Sequence, residues 1–312
     1  MSALGPLAGD VATAQTPLAS HARSTRLADY AELAKPKIAV MALVTVAVGY
    51  VLAAGDTWQW PALVHSLGAI GLAAFASGAL NQYLERHGDA VMTRTANRPL
   101  PAGRLAPNEV LAVGLVAAAI SLAWLAWQTN LATVIATGVT LVLYLGVYTP
   151  LKRHSSLATT VGAVPGALPP VLGWLAAGGA LDSAALSLFA ILFLWQFPHF
   201  LAIAWLCRDD YRLAGMKMLP RAAARRPGLT GLLGILYALA LLGVSAWPRT
   251  IGLAGNAYLA AAIVLGIGYL AATIRFWWNE SRDTARGVLY ASLIHLPLLL
   301  AAMTWDHFRL LS

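Results

Sequence analysis

Apolar residues run along this chain in long stretches, broken by short and weakly polar links such as Gln128–Asn130. Stretches long enough to cross a bilayer, about 17–25 residues, recur near 37–54, 62–81, 109–127, 131–148, 157–178, 184–206, 229–247, 253–274 and 287–305. Backbone groups in lipid must find their partners within the protein, so these read as helices rather than open strands. The expected fold is all-α: nine transmembrane helices of a polytopic membrane protein. Trp58, Trp60, Trp127, Tyr148, Trp247, Trp277, Trp278 and Trp305 fall near the predicted ends, where an interfacial aromatic belt belongs.

Composition agrees. Of 312 residues, 59% are apolar and 11% charged, against about 45–50% and about 25% in an average soluble domain. That excludes an ordinary water-soluble enzyme and a disordered chain. The formal charge of +8 would suggest nucleic acid in a soluble protein; here its distribution matters more. Nineteen of the 21 Lys and Arg residues fall in the N-terminal segment and the even-to-odd links after spans 2, 4, 6 and 8, leaving Arg249 and Arg309 for the other side. Such asymmetry supports the nine-helix count and places the N-terminus in the cytoplasm and the C-terminus in the periplasm, with a bacterial inner membrane as the simplest location. Residues 2–20 carry no Lys or Arg, the wrong order for a secretory signal, and no Arg-rich presequence is present. Residues 1–28 read as a flexible cytoplasmic tail and 29–312 as a single transmembrane domain. The single cysteine, Cys207, allows no intramolecular disulfide, and no Cys/His cluster offers a zinc site.

The polar chemistry collects in three segments at the basic end. In the first, Asn81, Glu85 and Asp89 are spaced i, i+4, i+8, within roughly 80° of one helical face. Three oxygen donors on one stripe suit a hard cation such as Mg²⁺, which takes few protein carboxylates and completes its shell with water and substrate phosphate. Arg94 and Arg98 follow at i, i+4 and could approach the same anion. A solvated helix end with ordinary surface charges explains these residues too. The second segment runs from Trp195, Gln196 and His199 to Asp209 and Asp210. On a continuous helix His199 and Asp210 share a face about 16 Å apart. Ionisable residues within a membrane helix are costly and usually face a cavity, although His199 also fits a buried packing role and the aspartates could balance the basic residues of their loop. The third segment, Tyr148-Thr-Pro-Leu-Lys152-Arg153, carries two cations that could bind an anion or simply hold a loop inside. Acids, cations and an apolar interior together suggest chemistry on a lipid diphosphate: a divalent ion bridging carboxylates and diphosphate, cations neutralising the leaving group, and a dry chamber sheltering an allylic carbocation, with Tyr148 as a wall residue capable of cation–π contact.

The stretch Asn81–Pro101 resembles the aspartate-rich motif of the UbiA-type intramembrane prenyltransferases. Within that family, the heme farnesyltransferases are resembled by Met92-Thr-Arg-Thr-x-x-Arg-Pro-Leu-Pro101, Tyr148-Thr-Pro-Leu-Lys-Arg153, Pro165-Gly-Ala-Leu-Pro-Pro170 with Gly173-Trp174, Trp195-Gln-x-Pro-His-Phe200, Asp210-Tyr211 with Ala214-Gly215 and Met218-Leu-Pro220, and Tyr290-Ala-Ser-Leu293. The similarity covers about 30–305. It implies nine helices around a central chamber open toward the cytoplasm, and Mg²⁺-dependent transfer of farnesyl from farnesyl diphosphate to a vinyl group of heme b. Water adds, giving heme O and diphosphate; heme A synthase or a terminal oxidase assembly would be a downstream partner. Position by position, Asn81, Glu85 and Asp89 would form the first metal–diphosphate group. Asp210, with Asp209 adjacent, would belong to a second acidic site. Arg94, Arg98, Lys152 and Arg153 would face the diphosphate, and Gln196 and His199 would lie on the heme side, His199 as a candidate iron ligand.

Two positions depart from the family pattern. Glu85 stands where Asp is usual, keeping the charge on a longer arm. His87-Gly88 precedes Asp89, and a helix-weakening glycine leaves open whether helix or loop delivers that carboxylate. Two rival functions differ in testable ways. A quinone-pathway prenyltransferase would share the first acidic motif but not Trp-Gln-x-Pro-His-Phe or Arg-Pro-Leu-Pro. A secondary transporter would place its ionisable residues near the bilayer midplane on broken helices, whereas these lie at the inner boundary.

Overall fold

The computed structural model describes residues 25–220 and 226–312. Most of the expected N-terminal tail, with Arg23, and the loop residues Arg221 and Arg225 lie outside the described residues. Among the described residues all regular structure is helical, and eight helical runs are long and apolar enough to cross a membrane.

A short helix, α1 (Arg26–Leu33), comes first, capped by the Thr25 hydroxyl, which accepts from the Ala28 amide at 3.3 Å. Leu33 is buried, and Arg104 grips the polar face through Asp29 and Glu32, each at 2.6 Å. A second tie joins Arg26 to Glu109. Lys35 then adopts a left-handed backbone (φ 47°), a costly conformation for a residue with a Cβ. Pro36 opens α2 (Pro36–Ala54) immediately after it, its fixed φ suited to a first helical position.

The next helix, α3 (Trp60–Val91), runs well past the predicted end at residue 81. Gly88 does not break it, so Asn81, Glu85 and Asp89 share one continuous helix. The chain continues through α4 (Pro107–Gln128) and α5 (Leu131–Val142). The last of these widens into a π-helical turn at Leu143–Tyr148 and ends with Thr149–Leu151. Such turns are rare and frequent at functional sites.

The fifth predicted span, 157–178, is not one long helix. It is a pair, α6 (Ala158–Ala167) and α7 (Pro169–Ala176), with Pro165 inside the first and Pro169-Pro170 opening the second. Each proline lacks an N–H, so the hydrogen-bond ladder is interrupted there. Among the described residues eight helical runs have membrane length, so the count of nine is not confirmed, and this pair occupies the remaining predicted stretch. It lies against α2 at backbone contact: a Cβ on Gly173 would sit 1.9 Å from the Val46 carbonyl oxygen, and one on Gly49 1.9 Å from that of Pro170. Gly173→Ala is expected to lower stability by about 3 kcal/mol, the upper range for overpacking, because a backbone atom rather than a flexible side chain must yield. Thermal unfolding of the purified protein measures this.

Four longer helices and two short ones complete the bundle: α8 (Ser183–Leu206), α9 (Arg208–Leu213), α10 (Leu229–Val244), α11 (Trp247–Thr250), α12 (Asn256–Trp278) and α13 (Arg282–Leu311). The remaining membrane-length runs are α8, α10 together with α11, α12 and α13, and α8 and α13 are continuous through Pro198 and Pro297. Far from the polar segments, Asp306 on α13 is fully buried, accepts from the Tyr258 amide at 2.8 Å and pairs with Arg309 at 2.6 Å. It thereby satisfies an otherwise unpaired donor at the start of α12. Asp306→Ala should cost about 1–2 kcal/mol, as loss of a helix cap does, measurable by the same unfolding assay. Trp60, Trp127, Trp278 and Trp305 are exposed near helix ends, as the belt requires, whereas Tyr148 turns inward.

Candidate active site

The C-terminal end of α3, the end of α5, the α1–α2 link and the segment around α9 enclose a cavity of about 210 Å³. At 100° per residue, the i, i+4, i+8 stripe of α3 presents Asn81, Glu85 and Asp89 to it together. All three side chains are buried. The π-helical turn of α5 presents Tyr144 and Tyr148, their rings 5.3 Å apart, and the chain beyond it supplies Lys152. Met92, Arg94 and Arg98 come from the link after α3, and Tyr211, Met216 and Met218 from α9 and the segment following it. A neighbouring space of about 140 Å³ shares Tyr148, Tyr211 and Met218 and adds Thr159, Phe200, Ile203 and Ala204. A polar chamber thus adjoins a mainly apolar one through a wall of two tyrosines and a methionine.

The charges are paired in a definite way. Lys152 donates to one Glu85 oxygen at 2.7 Å, the Asn81 amide donates to the other, and the ammonium lies 4.2 Å from the Tyr148 ring centre. Arg98 meets Asp89 at 2.6 Å. Thr95 secures the turn after α3 by donating to the Asp89 carbonyl at 2.9 Å. Two oxygens, Asn81 Oδ1 and Asp89 Oδ1, are buried with no hydrogen-bond partner among the described residues. Unpaired buried acceptors carry a desolvation cost. Oxygen acceptors one helical turn from Glu85 on either side form a donor set appropriate to a hard divalent cation, so the residues fit such an ion.

Lys35 lines the same cavity. Burial pushes its ammonium down to about 8, nearby Arg98 and Lys152 press in the same direction, and Glu85 and Asp89 oppose them. Burial raises the Tyr211 phenol above its usual range. Neither Lys35, Tyr144 nor Tyr211 stood among the residues expected from the sequence. The signals for the first two were a lysine immediately before the proline that opens the first span and a tyrosine one turn before Tyr148.

The structure brings Asn81, Glu85, Asp89, Arg94, Arg98, Tyr148 and Lys152 to one cavity, and leaves the other expected residues off its lining. Arg153 is exposed. Asp209 is exposed and faces Arg212 at 3.4 Å. Asp210 is half-buried. The assumed continuous helix from His199 to Asp210 is interrupted: α8 ends at Leu206, Cys207 leaves helical geometry, and α9 starts anew. On α9, Tyr211 is the side chain that lines the cavity, and positions one and two residues earlier point about 100° and 200° away from it. Among the described residues no three His, Cys, Asp or Glu side chains cluster. Gln196 is buried and donates to the Ala163 and Leu192 carbonyls at 3.1 and 3.0 Å. His199 stacks on Trp195, ring centres 5.1 Å apart, and bonds through Nδ1 to the Ser292 hydroxyl at 2.7 Å.

In this helical membrane bundle, buried carboxylates and clustered cations adjoin an apolar space. The chain belongs to the UbiA prenyltransferase family, whose pattern it matches over residues 42–296; it is a prenyltransferase enzyme and a multi-pass integral membrane protein. It is 40% identical over 293 residues to the protoheme IX farnesyltransferase of Solibacter usitatus, covering 89% of this chain and 98% of that protein. It is 41% identical over 283 residues to the protoheme IX farnesyltransferase of Myxococcus xanthus, covering 90% and 95%. Among solved structures, digeranylgeranylglyceryl phosphate synthase superposes with a TM-score of 0.74 at 15% identity, covering 91% of this chain and 99% of that one. A UbiA homologue from Archaeoglobus fulgidus, bound to GPP and Mg²⁺, superposes with a TM-score of 0.67 at 16% identity, covering 88% and 99%.

Proposed function

We propose that this enzyme is a heme farnesyltransferase, transferring farnesyl from farnesyl diphosphate to a vinyl group of heme b to give heme O. The observation that carries the reading is the cavity in which Asn81, Glu85 and Asp89 face Lys35, Arg94, Arg98 and Lys152 beside an apolar space. About 40% identity to protoheme IX farnesyltransferases over some nine-tenths of the chain supports heme as the acceptor over a quinone precursor.

The diphosphate headgroup binds in the polar chamber and the isoprenoid tail extends past Tyr148 and Tyr211. Bound Mg²⁺, held by Asn81, Glu85 and Asp89, would supply Lewis-acid neutralisation of the diphosphate. Lys152, Arg98, Arg94 and Lys35 receive the negative charge that builds as the C1–O bond breaks and its electron pair leaves with the diphosphate. Tyr144 and Tyr148 offer ring faces to the allylic cation, and the apolar lining keeps water from it until the vinyl carbon has attacked. Water then adds to the resulting cation and loses a proton, leaving the hydroxyethylfarnesyl substituent. Gln196 and His199 lie toward the heme side, and orientation follows the basic residues: this end faces the cytoplasm of a bacterial inner membrane.

Mass spectrometry of hemes extracted from cells expressing the chain tests the reaction. Heme O should appear with this chain and not with an empty vector; its absence, with membrane-inserted protein present, overturns the reading. Purified enzyme given farnesyl diphosphate should modify heme b and not 4-hydroxybenzoate. Chelation of divalent ions should stop turnover, and added Mg²⁺ should restore it. His199→Ala should weaken heme binding and alter the heme absorption spectrum; an unchanged titration discards iron ligation by His199 alone.

A further inference from the structure

The two carboxylates that would hold the metal are both occupied by cations of the protein itself. Glu85 has one oxygen on Lys152 at 2.7 Å and the other on the Asn81 amide; Asp89 has one oxygen on Arg98 at 2.6 Å. The ion-pair partners are well shielded, with the Lys152 and Glu85 side chains 10% and 11% exposed and Asp89 1%. Lys35 and Arg94 line the same cavity, so two carboxylates face four cations. A free divalent cation entering this chamber meets net positive charge; it can reach Asp89 Oδ1, but it must displace Lys152 to bind Glu85 and Arg98 to hold both oxygens of Asp89. A free diphosphate meets two cations already committed, and drawing them away strands Glu85 and Asp89 as buried, uncompensated charges, which is strongly unfavourable.

Both difficulties vanish when metal and diphosphate arrive together. Glu85 and Asp89 turn to the metal, Lys152 and Arg98 turn to the phosphate oxygens, and every buried charge keeps a partner. We propose that Lys152 and Arg98 are specificity-determining residues that make the site select the metal–diphosphate unit over either component. They act as internal counter-ions of the metal-binding carboxylates before substrate arrives and as leaving-group ligands afterwards. This rests on the proposed placement of the metal–diphosphate site and extends it with an exchange of partners. Coupling between two ligands of one site commonly amounts to about 5–150-fold in affinity, and an exchange of two buried pairs belongs within that range.

The test uses Mn²⁺ alone, with no diphosphate in solution to complex it. The full-length protein in detergent is titrated while free Mn²⁺ is followed by its electron paramagnetic resonance signal. The wild type should bind weakly. Lys152→Met frees Glu85, and Arg98→Gln frees Asp89; each should bind Mn²⁺ at least tenfold more tightly. Glu85→Gln in the Lys152→Met background should abolish that gain, which a general loosening of the cavity would not do. Arg98→Gln with Asp89→Asn repeats the logic should Lys152→Met fail to fold. Wild-type affinity for Mn²⁺ equal to that of the freed variants overturns the exchange. If heme O is still made in that case, the proposed reaction stands without it. Conversely, tighter Mn²⁺ binding by the variants in a protein that makes no heme O supports the exchange while removing the heme reading.

Discussion

Asp89→Ala is expected to reduce farnesyl transfer by about 10²–10³-fold, the range for removing one preorganised electrostatic contact to developing charge. Asp89 carries a buried oxygen beside the cavity with no partner among the described residues and also holds Arg98, so on the proposed mechanism its loss would remove a metal donor and release a leaving-group cation in one change. The fold should survive. Arg98 keeps 20% of its side chain exposed, so solvent absorbs much of its unpaired charge, and the stability loss should fall below the about 3–5 kcal/mol for stranding a fully buried partner. Asp89→Asn preserves shape and removes the charge, and should be nearly as inactive. The check is the rate of heme O formation by purified enzyme, with membrane insertion and thermal unfolding followed on the same preparations. Near-wild-type turnover by either variant would take Asp89 out of the reaction.

Lys152→Met should damage both stability and activity, and the two losses can be separated. Glu85 and Lys152 are comparably shielded. Removing the ammonium leaves a carboxylate whose one remaining hydrogen bond among the described residues comes from the Asn81 amide, at a cost of about 3–5 kcal/mol. On the proposed placement of Lys152 beside the departing diphosphate, activity should fall by about 10²-fold or more. Adding Glu85→Gln to Lys152→Met removes the stranded charge, so most of the stability should return while the activity does not. Thermal unfolding and turnover of the wild type, both single variants and the double variant complete the cycle. A double variant as unstable as Lys152→Met would mean that the ion pair is not what holds these elements together.

The long helices were legible because bilayer-spanning segments announce themselves by uninterrupted apolar length, a one-dimensional property. The break at 157–178 was harder to see although its cause, Pro165 and Pro169-Pro170, is visible in the chain. Proline sometimes interrupts a helix and sometimes leaves it continuous, as Pro198 and Pro297 do in α8 and α13, and the surrounding packing decides which.

Hydropathy and residue order alone marked a helical membrane protein whose polar residues gather at one end of its spans. Asn81, Glu85 and Asp89 stood at helical spacing in a motif written in linear order, but Gly88 left the delivery of Asp89 open, and only the continuation of α3 to Val91 puts the three on one face. Tertiary structure decided which distant residues join that face. Only α5 packed near α3 could reveal that Lys152 grips Glu85 across 67 positions of chain. Only the left-handed turn at Lys35, with α1 held by Arg104, brings a lysine that looked like a topology signal into the cavity. The helix break at Cys207 likewise brought Tyr211 to the cavity lining and left Asp209 and Asp210 off it. Contacts between distant segments depend on how helices meet and where they end, and neither residue spacing nor hydropathy encodes that.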